Sequence, residues 1–338
     1  MTIARNPRAD AAHAPYGGGM DPTTPDDAAP ALRTPRDLGG TGILVQPVAL
    51  DASAFGWASG IDATERVLDV FAEAGGNLIS TADQYAGGRS EIMIGTWLRA
   101  HDRGSVVLST MVGKHPDASG LSARSILRAV ESSLERLGTD YIDILGFDGD
   151  EAARPIDDAL EAADRLIREG KIRQLAAYGF SASRVDEVAI RSSEAGYPDF
   201  GGLFVDYNLM QRRAYERDLQ PIAIRRGRMA VACLPLANGY LTGRFRTRDH
   251  VPDGVLYEGA KQHVGRHGSR VLDALDSVAI QAGTTPACVA LAWVLVKPGI
   301  AAAVVRVRNE DDLAGYLGAA DVSLTRQQLA MLDRVSAP

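Results

Sequence analysis

The chain has 338 residues, 46% of them apolar, and a formal charge of −7. That length suits one large domain or two ordinary ones with ample material for a core, and the acidic balance argues against nucleic acid or an anionic membrane as partner. No apolar run reaches the ~18 residues a membrane span needs, and two cysteines, Cys233 and Cys288, give no disulfide framework, which points to a reducing, cytoplasmic setting. Residues 1–37, rich in Ala, Pro, Asp and Gly and lacking the apolar core of a secretory signal, read as a flexible leader.

From residue 38 onward, strand and helix signals alternate. Residues 45–50 form an apolar run, and 63–74 carry apolar residues at helical spacing (Val67, Leu68, Val70, Phe71). Residues 77–80 read as the second strand and 90–100 as the second helix. Residues 106–110 are a β-branched strand, followed by an amphipathic helix over 122–137 with Ser122 as N-cap and Gly138 as its stop. Residues 141–145 are the fourth strand, and Pro155 opens a helix that Gly170 closes. Strands follow at 172–178, 202–206 and 229–234, with helices near 183–192 and 214–225 between them. The long segment 235–268 shows no clear element. Helices at 269–282 and 286–296, an eighth strand at 301–306, and helices at 311–317 and 325–335 complete the chain.

Eight strands separated by helices predict a single (β/α)8 TIM barrel over residues 38–338, in preference to a doubly wound sheet, because no GxGxxG follows the first strand. Chemistry in such a barrel gathers where strands end. Asp51, Ser80, Tyr85, Met111, Asp148, Tyr178, Phe204, Cys233 and Arg306 are therefore expected to converge on one mouth.

Residues 75–91, GGNLISTADQYAGGRSE, are the most informative stretch. They resemble the aldo-keto reductase signature G-x-N-x-x-D-T-A-x-x-Y-G-x-G-x-S-E at Gly75, Asn77, Thr81, Ala82, Tyr85, Gly88, Ser90 and Glu91. The resemblance extends through an opening hairpin at 38–45, the run from Val130 to Asp143, Arg168–Arg173, Tyr207-Asn208, Tyr240–Arg244 and Leu317-Gly-Ala. It implies the aldo-keto reductase type of barrel and a catalytic set of tyrosine, lysine, aspartate and histidine serving NADPH-dependent carbonyl reduction. A phenol of pKa near ~10 needs a neighbouring cation to exchange a proton at neutral pH. By this resemblance the tyrosine is Tyr85, whereas the aspartate position is Ser80, the lysine position Met111 (Lys114 lies three residues on) and the histidine position Asp148. The usual grips on nicotinamide fall on Tyr178-Gly179, Phe204 and Cys233, the Gly-Thr pair after the first strand on Asp51-Ala52, and a backbone glycine on Arg306. The adenine-holding Glu and Asn fall on Gly315 and Tyr316. Arg308 matches the arginine of the 2′-phosphate, and the loop with Leu236, Leu241 and Gly243 keeps its outline, so an anion site near Arg306 and Arg308 is expected to persist.

These losses favour a barrel that has given up NADPH for proton transfer on a small molecule: isomerisation, dehydration, epimerisation or cyclisation in specialised metabolism. Tyr85, Asp148 and Asp51 would be catalytic and Ser80, Met111, Tyr178, Phe204, Cys233 and Arg306 substrate-binding. Carboxylates near apolar Met111 and Phe204 are expected to have raised pKa values, and Asp148 is expected to raise that of Tyr85. No cofactor is expected on this reading. A reductase using NADPH with a non-standard set, with Arg308, Leu236, Leu241 and Gly243 at the nucleotide, and a non-catalytic ligand-binding homologue remain open. His263 and His267 at i, i+4 lack the Glu of a zinc motif; Cys233 reads as a small buried thiol. A monomer is the default.

Overall fold

In the computed structural model, residues 33–149, 155–254, 257 and 259–337 are described. The leader expected over 1–37 lies outside them except for its last five residues. Of these, Arg36–Asp37 (β1) already pairs with Leu44–Val45 (β2) in an antiparallel hairpin. The hairpin therefore includes residues on the N-terminal side of 38.

Eight parallel strands close into a barrel: β3 (Val48–Asp51), β4 (Leu78–Ala82), β5 (Val107–Val112), β6 (Ile142–Asp148), β7 (Ile172–Tyr178), β8 (Phe200–Asp206), β9 (Met229–Cys233) and β10 (Ile300–Arg306). The last strand returns to the first with Arg306 opposite Asp51. The apolar run at 45–50 is thus two elements. Pro47, with no N–H to give a ladder, separates the hairpin from β3.

The hairpin stops the bottom of the barrel. Gln46 donates to the Asn77 side chain at 2.8 Å, and Arg36 donates to the carbonyls of Leu295 and Ile300, both at 2.8 Å. Leu38 comes so close to the start of β8 that a Cβ on Gly202 would lie 2.9 Å from it. Above this plug, inward residues alternate along the strands, and Ala49, Leu78, Ile144, Ala176, Val231 and Ala302 share one buried cluster. Met111, Phe204 and Val304 belong to the same cluster, with Tyr85, Tyr178 and Cys233 packed against it. The barrel interior opens at its C-terminal end.

The outer layer follows the expected order: α1 (Ile61–Glu73), α2 (Arg89–Leu98), α3 (Ala123–Leu137), α4 (Asp157–Arg168), α5 (Ala182–Ala195), a π-turn at Ala214–Leu219 running into α6 (Gln220–Arg225), α7 (Ala260–His263), α8 (Arg266–Ala282), α9 (Pro286–Leu295), α10 (Glu310–Leu317) and α11 (Arg326–Val335). Ser122 caps α3 by accepting from the Ser125 amide at 3.2 Å, and Gly138 ends it at φ +63°. Residues 235–268 hold short turns at Tyr240–Thr242 and Arg248–His250, then α7 and the start of α8. These pieces are too short to give a readable period. No single described helix is long and apolar enough to cross a membrane.

Candidate functional site at the barrel mouth

The strand–loop–helix of residues 78–98 has two faces. Toward the helices, Ser90 Oγ donates to the Ala52 carbonyl and meets Thr81 Oγ1, both at 2.9 Å. Glu91, fully buried, accepts from Thr110 Oγ1 and from Arg136 Nε at 2.6 Å each. The chain turns between them through Ala86, Gly87 and Gly88, all at positive φ; a Cβ on Gly88 would come within 2.7 Å of the Arg136 side chain. The signature's Thr, Gly, Ser and Glu thus build the frame that holds Tyr85.

Toward the barrel axis lies a cavity of about 550 Å³. Asp51, Ser80, Tyr85, Met111, Tyr178, Cys233 and Arg306 all line it, seven of the nine predicted strand-end residues. Phe204 does not; it is 2% exposed and packs inside the barrel below the mouth. Asp148 does not line it either: it stands behind Gln84, whose Nε2 donates to Asp148 Oδ2 at 3.0 Å. Phe204 lies one inward position short of the end of β8, where Asp206 is the last inward residue, and Asp148 ends β6 behind the loop residue Gln84. Lys114 is past the end of β5, exposed, and not part of the wall; Met111 is the inward residue.

Asp51 is held at both oxygens. Oδ1 accepts from the Ser53 amide at 2.9 Å, capping a short turn, and Oδ2 accepts from Arg306 Nε at 3.3 Å. Burial, then the Asp51 carboxylate, push the Tyr85 phenol well above its ordinary pKa, against the pull of Arg306. The phenol is raised as expected, but the responsible anion is Asp51 rather than Asp148. Burial also raises Asp148, opposed by Lys114 and reinforced by Asp206. The Cys233 thiol is raised well above its usual value by burial and then by Asp206 and Asp51, which disfavours it as a nucleophile.

Several site residues escaped sequence reasoning. Asp206 accepts from the Tyr178 hydroxyl at 3.1 Å, and burial raises its pKa. It sits two residues beyond inward-facing Phe204, so strand alternation could have found it. Gln84, Asn238 and the 62%-exposed Trp57 also line the cavity, and no local pattern marks them. Asp83, beside Gln84, faces outward; it is 1% exposed and its carboxylate oxygens have no well-formed hydrogen bond. Burial and then Glu91 push it up to about 7, against Arg136.

A narrow groove of about 60 Å³ adjoins the mouth and is lined by Leu236, Arg244, Tyr257, Arg308, Asp312 and Tyr316 among others. Asp51, Arg306, Asn238, Leu234 and Val304 border both spaces, so the Asp51–Arg306 ion pair lies at their junction. The expected anion site is filled from within. Asp312, 6% exposed, accepts from Arg308 at 2.6 and 2.9 Å and from Arg244 at 3.1 Å. Burial works against this carboxylate, and the guanidiniums outweigh it and hold its pKa low. Leu241 is fully buried in the core and Gly243 ends the Tyr240–Thr242 turn; neither lines the groove. His263 and His267 are split by the break between α7 and α8, and no metal-binding cluster of three or more such side chains occurs among the described residues.

The fold and site together define a (β/α)8-barrel protein with a ligand cavity at its C-terminal face. Residues 53–337 match the model of the aldo/keto reductase family, and the chain belongs to that family. It is 29% identical over 315 residues to the uncharacterized oxidoreductase YrpG of Bacillus subtilis, covering 88% of this chain and 94% of that protein. It is 27% identical over 302 residues to a probable voltage-gated potassium channel subunit beta of Oryza sativa (85% and 91% covered) and 26% identical over 323 residues to a putative one of Schizosaccharomyces pombe (89% and 92%).

Proposed function

We propose that this barrel catalyses a non-redox proton transfer on a small carbonyl compound, acting as a monomer without NADPH. The observation that carries this reading is the Asp51–Arg306 pair at the junction of cavity and groove, beside a phenol with no lysine among the described residues of the cavity wall. The pyridine end of NADPH fits these residues poorly. The Arg306 side chain borders the route from groove to mouth, the Tyr178 hydroxyl is committed to Asp206, and Phe204 is packed in the core. At the other end, a 2′-phosphate would have to displace or face the Asp312 carboxylate.

In the proposed step the neutral Tyr85 phenol donates a hydrogen bond to the substrate's carbonyl oxygen. Asp51 takes a proton from the adjacent carbon, whose electron pair moves into a C=C bond and leaves the charge on oxygen. Return of the proton to the other face or another carbon completes epimerisation or isomerisation; departure of a neighbouring hydroxyl, which takes the proton held by Asp51 and leaves as water, completes dehydration. Every atom and electron stays within substrate, Asp51 and Tyr85. Raising the phenol's pKa weakens it as a full proton donor and keeps it neutral, which suits hydrogen-bond stabilisation of an enolate.

A second reading, NADPH-dependent reduction with a non-standard set, draws on the retained groove with Arg308 and on the name of the Bacillus relative. The two separate in heavy water. Incubation with candidate ketones is expected to give deuterium at the α-carbon by NMR, lost in Tyr85→Phe and Asp51→Asn, while added NADPH leaves the melting temperature unchanged. Bound NADPH would raise that temperature by mass action. NADPH-dependent alcohol formation without exchange would overturn the proposal in favour of reduction; neither signal would leave a ligand-binding role.

A further inference from the structure

The two acids standing behind the cavity fix the polarity of its wall. An amide beside a carboxylate turns its NH2 toward the anion, as Gln84 does toward Asp148 at 3.0 Å, which leaves its carbonyl oxygen to accept from a ligand. The Tyr178 hydroxyl spends its only proton on Asp206 at 3.1 Å, so it too can only accept from anything in the cavity. Among the described lining residues, Arg306 is the cation, paired with Asp51, and the other side chains are uncharged. An anion placed there would meet acceptors on two sides and three carboxylates within or just behind the wall. The rest of the wall mixes aromatic and apolar groups, Trp57, Tyr85, Met111 and Leu234, with the small neutral polar side chains of Ser53, Ser80 and Asn238.

We infer that the cavity selects ring compounds that donate hydrogen bonds and carry no negative charge (hydroxylated or amino-substituted), with Gln84 and Tyr178, oriented by Asp148 and Asp206, as the specificity-determining residues. This deepens the proposed function by naming the substrate class of the same site, and it rests on that reading for where the ligand sits.

The test uses three probes on one ring system: 2-naphthol, 2-naphthylmethylammonium and 2-naphthoate. Each is titrated into the full-length protein while emission from Trp57 is followed. Trp97 and Trp293 are buried, so quenching that disappears in Trp57→Phe locates the probe at the mouth. The phenol and the ammonium are expected to bind at least about tenfold more tightly than the carboxylate. Asp148→Asn with Asp206→Asn frees the amide and the hydroxyl to reorient and is expected to shrink that gap to within about threefold. Gln84→Leu, which leaves both acids in place, is expected to weaken the phenol selectively.

Equal or tighter binding of 2-naphthoate by the unaltered protein, failure of all three probes to bind, or an unchanged gap in the folded double variant would each overturn the inference. Uptake of NADPH with the probe ranking intact would instead sink the proton-transfer reading and leave the inference standing.

Discussion

The outward and inward faces of residues 78–91 are built differently on one backbone. On the outward face, Thr81, Ser90 and Glu91 are buried and bonded to Ala52, Thr110 and Arg136. On the inward face, Ser80 stands where the family resemblance places an aspartate, and Met111 of the neighbouring strand stands where it places a lysine. The contrast teaches that a frame and the chemistry it holds are separable. Buried polar groups must keep their partners or the fold pays the desolvation of what is left behind, whereas residues at an open mouth answer only to the ligand.

Breaking the outward face should cost most. Arg136→Met removes the cation partner of the buried Glu91 side chain and is expected to lower unfolding free energy by about 3–5 kcal/mol in a urea titration. A loss under 1 kcal/mol would show that the frame does not depend on this pair.

Asp83 sharpens the comparison, because it is an outward, buried group without such satisfaction. Its carboxyl is raised from 3.8 to about 7, so between those values the folded state holds a proton that the unfolded chain has released. Stability is therefore highest in the acidic part of that window and declines as pH rises toward 7, by about 2–4 kcal/mol at most. Glu91, Arg136 and Asp148 are the charged groups that act on it. Asp83→Asn should flatten that slope and raise the melting temperature at pH 8 more than at pH 5; an unchanged pH profile of the melting temperature would show that Asp83 is not the group responsible.

The smallest effect belongs to the frame's neutral bonds. Ser90→Ala removes the donor to the Ala52 carbonyl and should cost about 1–2 kcal/mol, measured by the same urea titration; a cost as large as that of Arg136→Met would mean that charge is not what distinguishes Glu91.

Legibility in the sequence followed the same division. Short apolar and β-branched runs and helix stops gave the barrel and its order, because these signals are local. The mouth was legible as far as strand ends could be counted, which brought seven residues to one cavity. Phe204 slipped because β8 runs two residues further, to Asp206, and Asp148 because the loop residue Gln84 stands in front of it. Gln84, Asn238 and Trp57 lie on loops, where no period constrains which way a side chain turns. The anion site expected at Arg308 looked open because Asp312, four residues on, reads only as an acidic residue near a helix start; its carboxylate proves to satisfy two guanidiniums.

The sequence alone determined the barrel, its family, and which chemistry-bearing side chains were available, since these depend on pattern and residue type. Tertiary structure decided how they are paired: Asp51 with Arg306, Asp148 with Gln84, Asp206 with Tyr178, Asp312 with Arg308 and Arg244. Charge acts over a few ångströms of space whatever the distance along the chain, and Asp51 and Arg306 meet only because the last strand closes against the first.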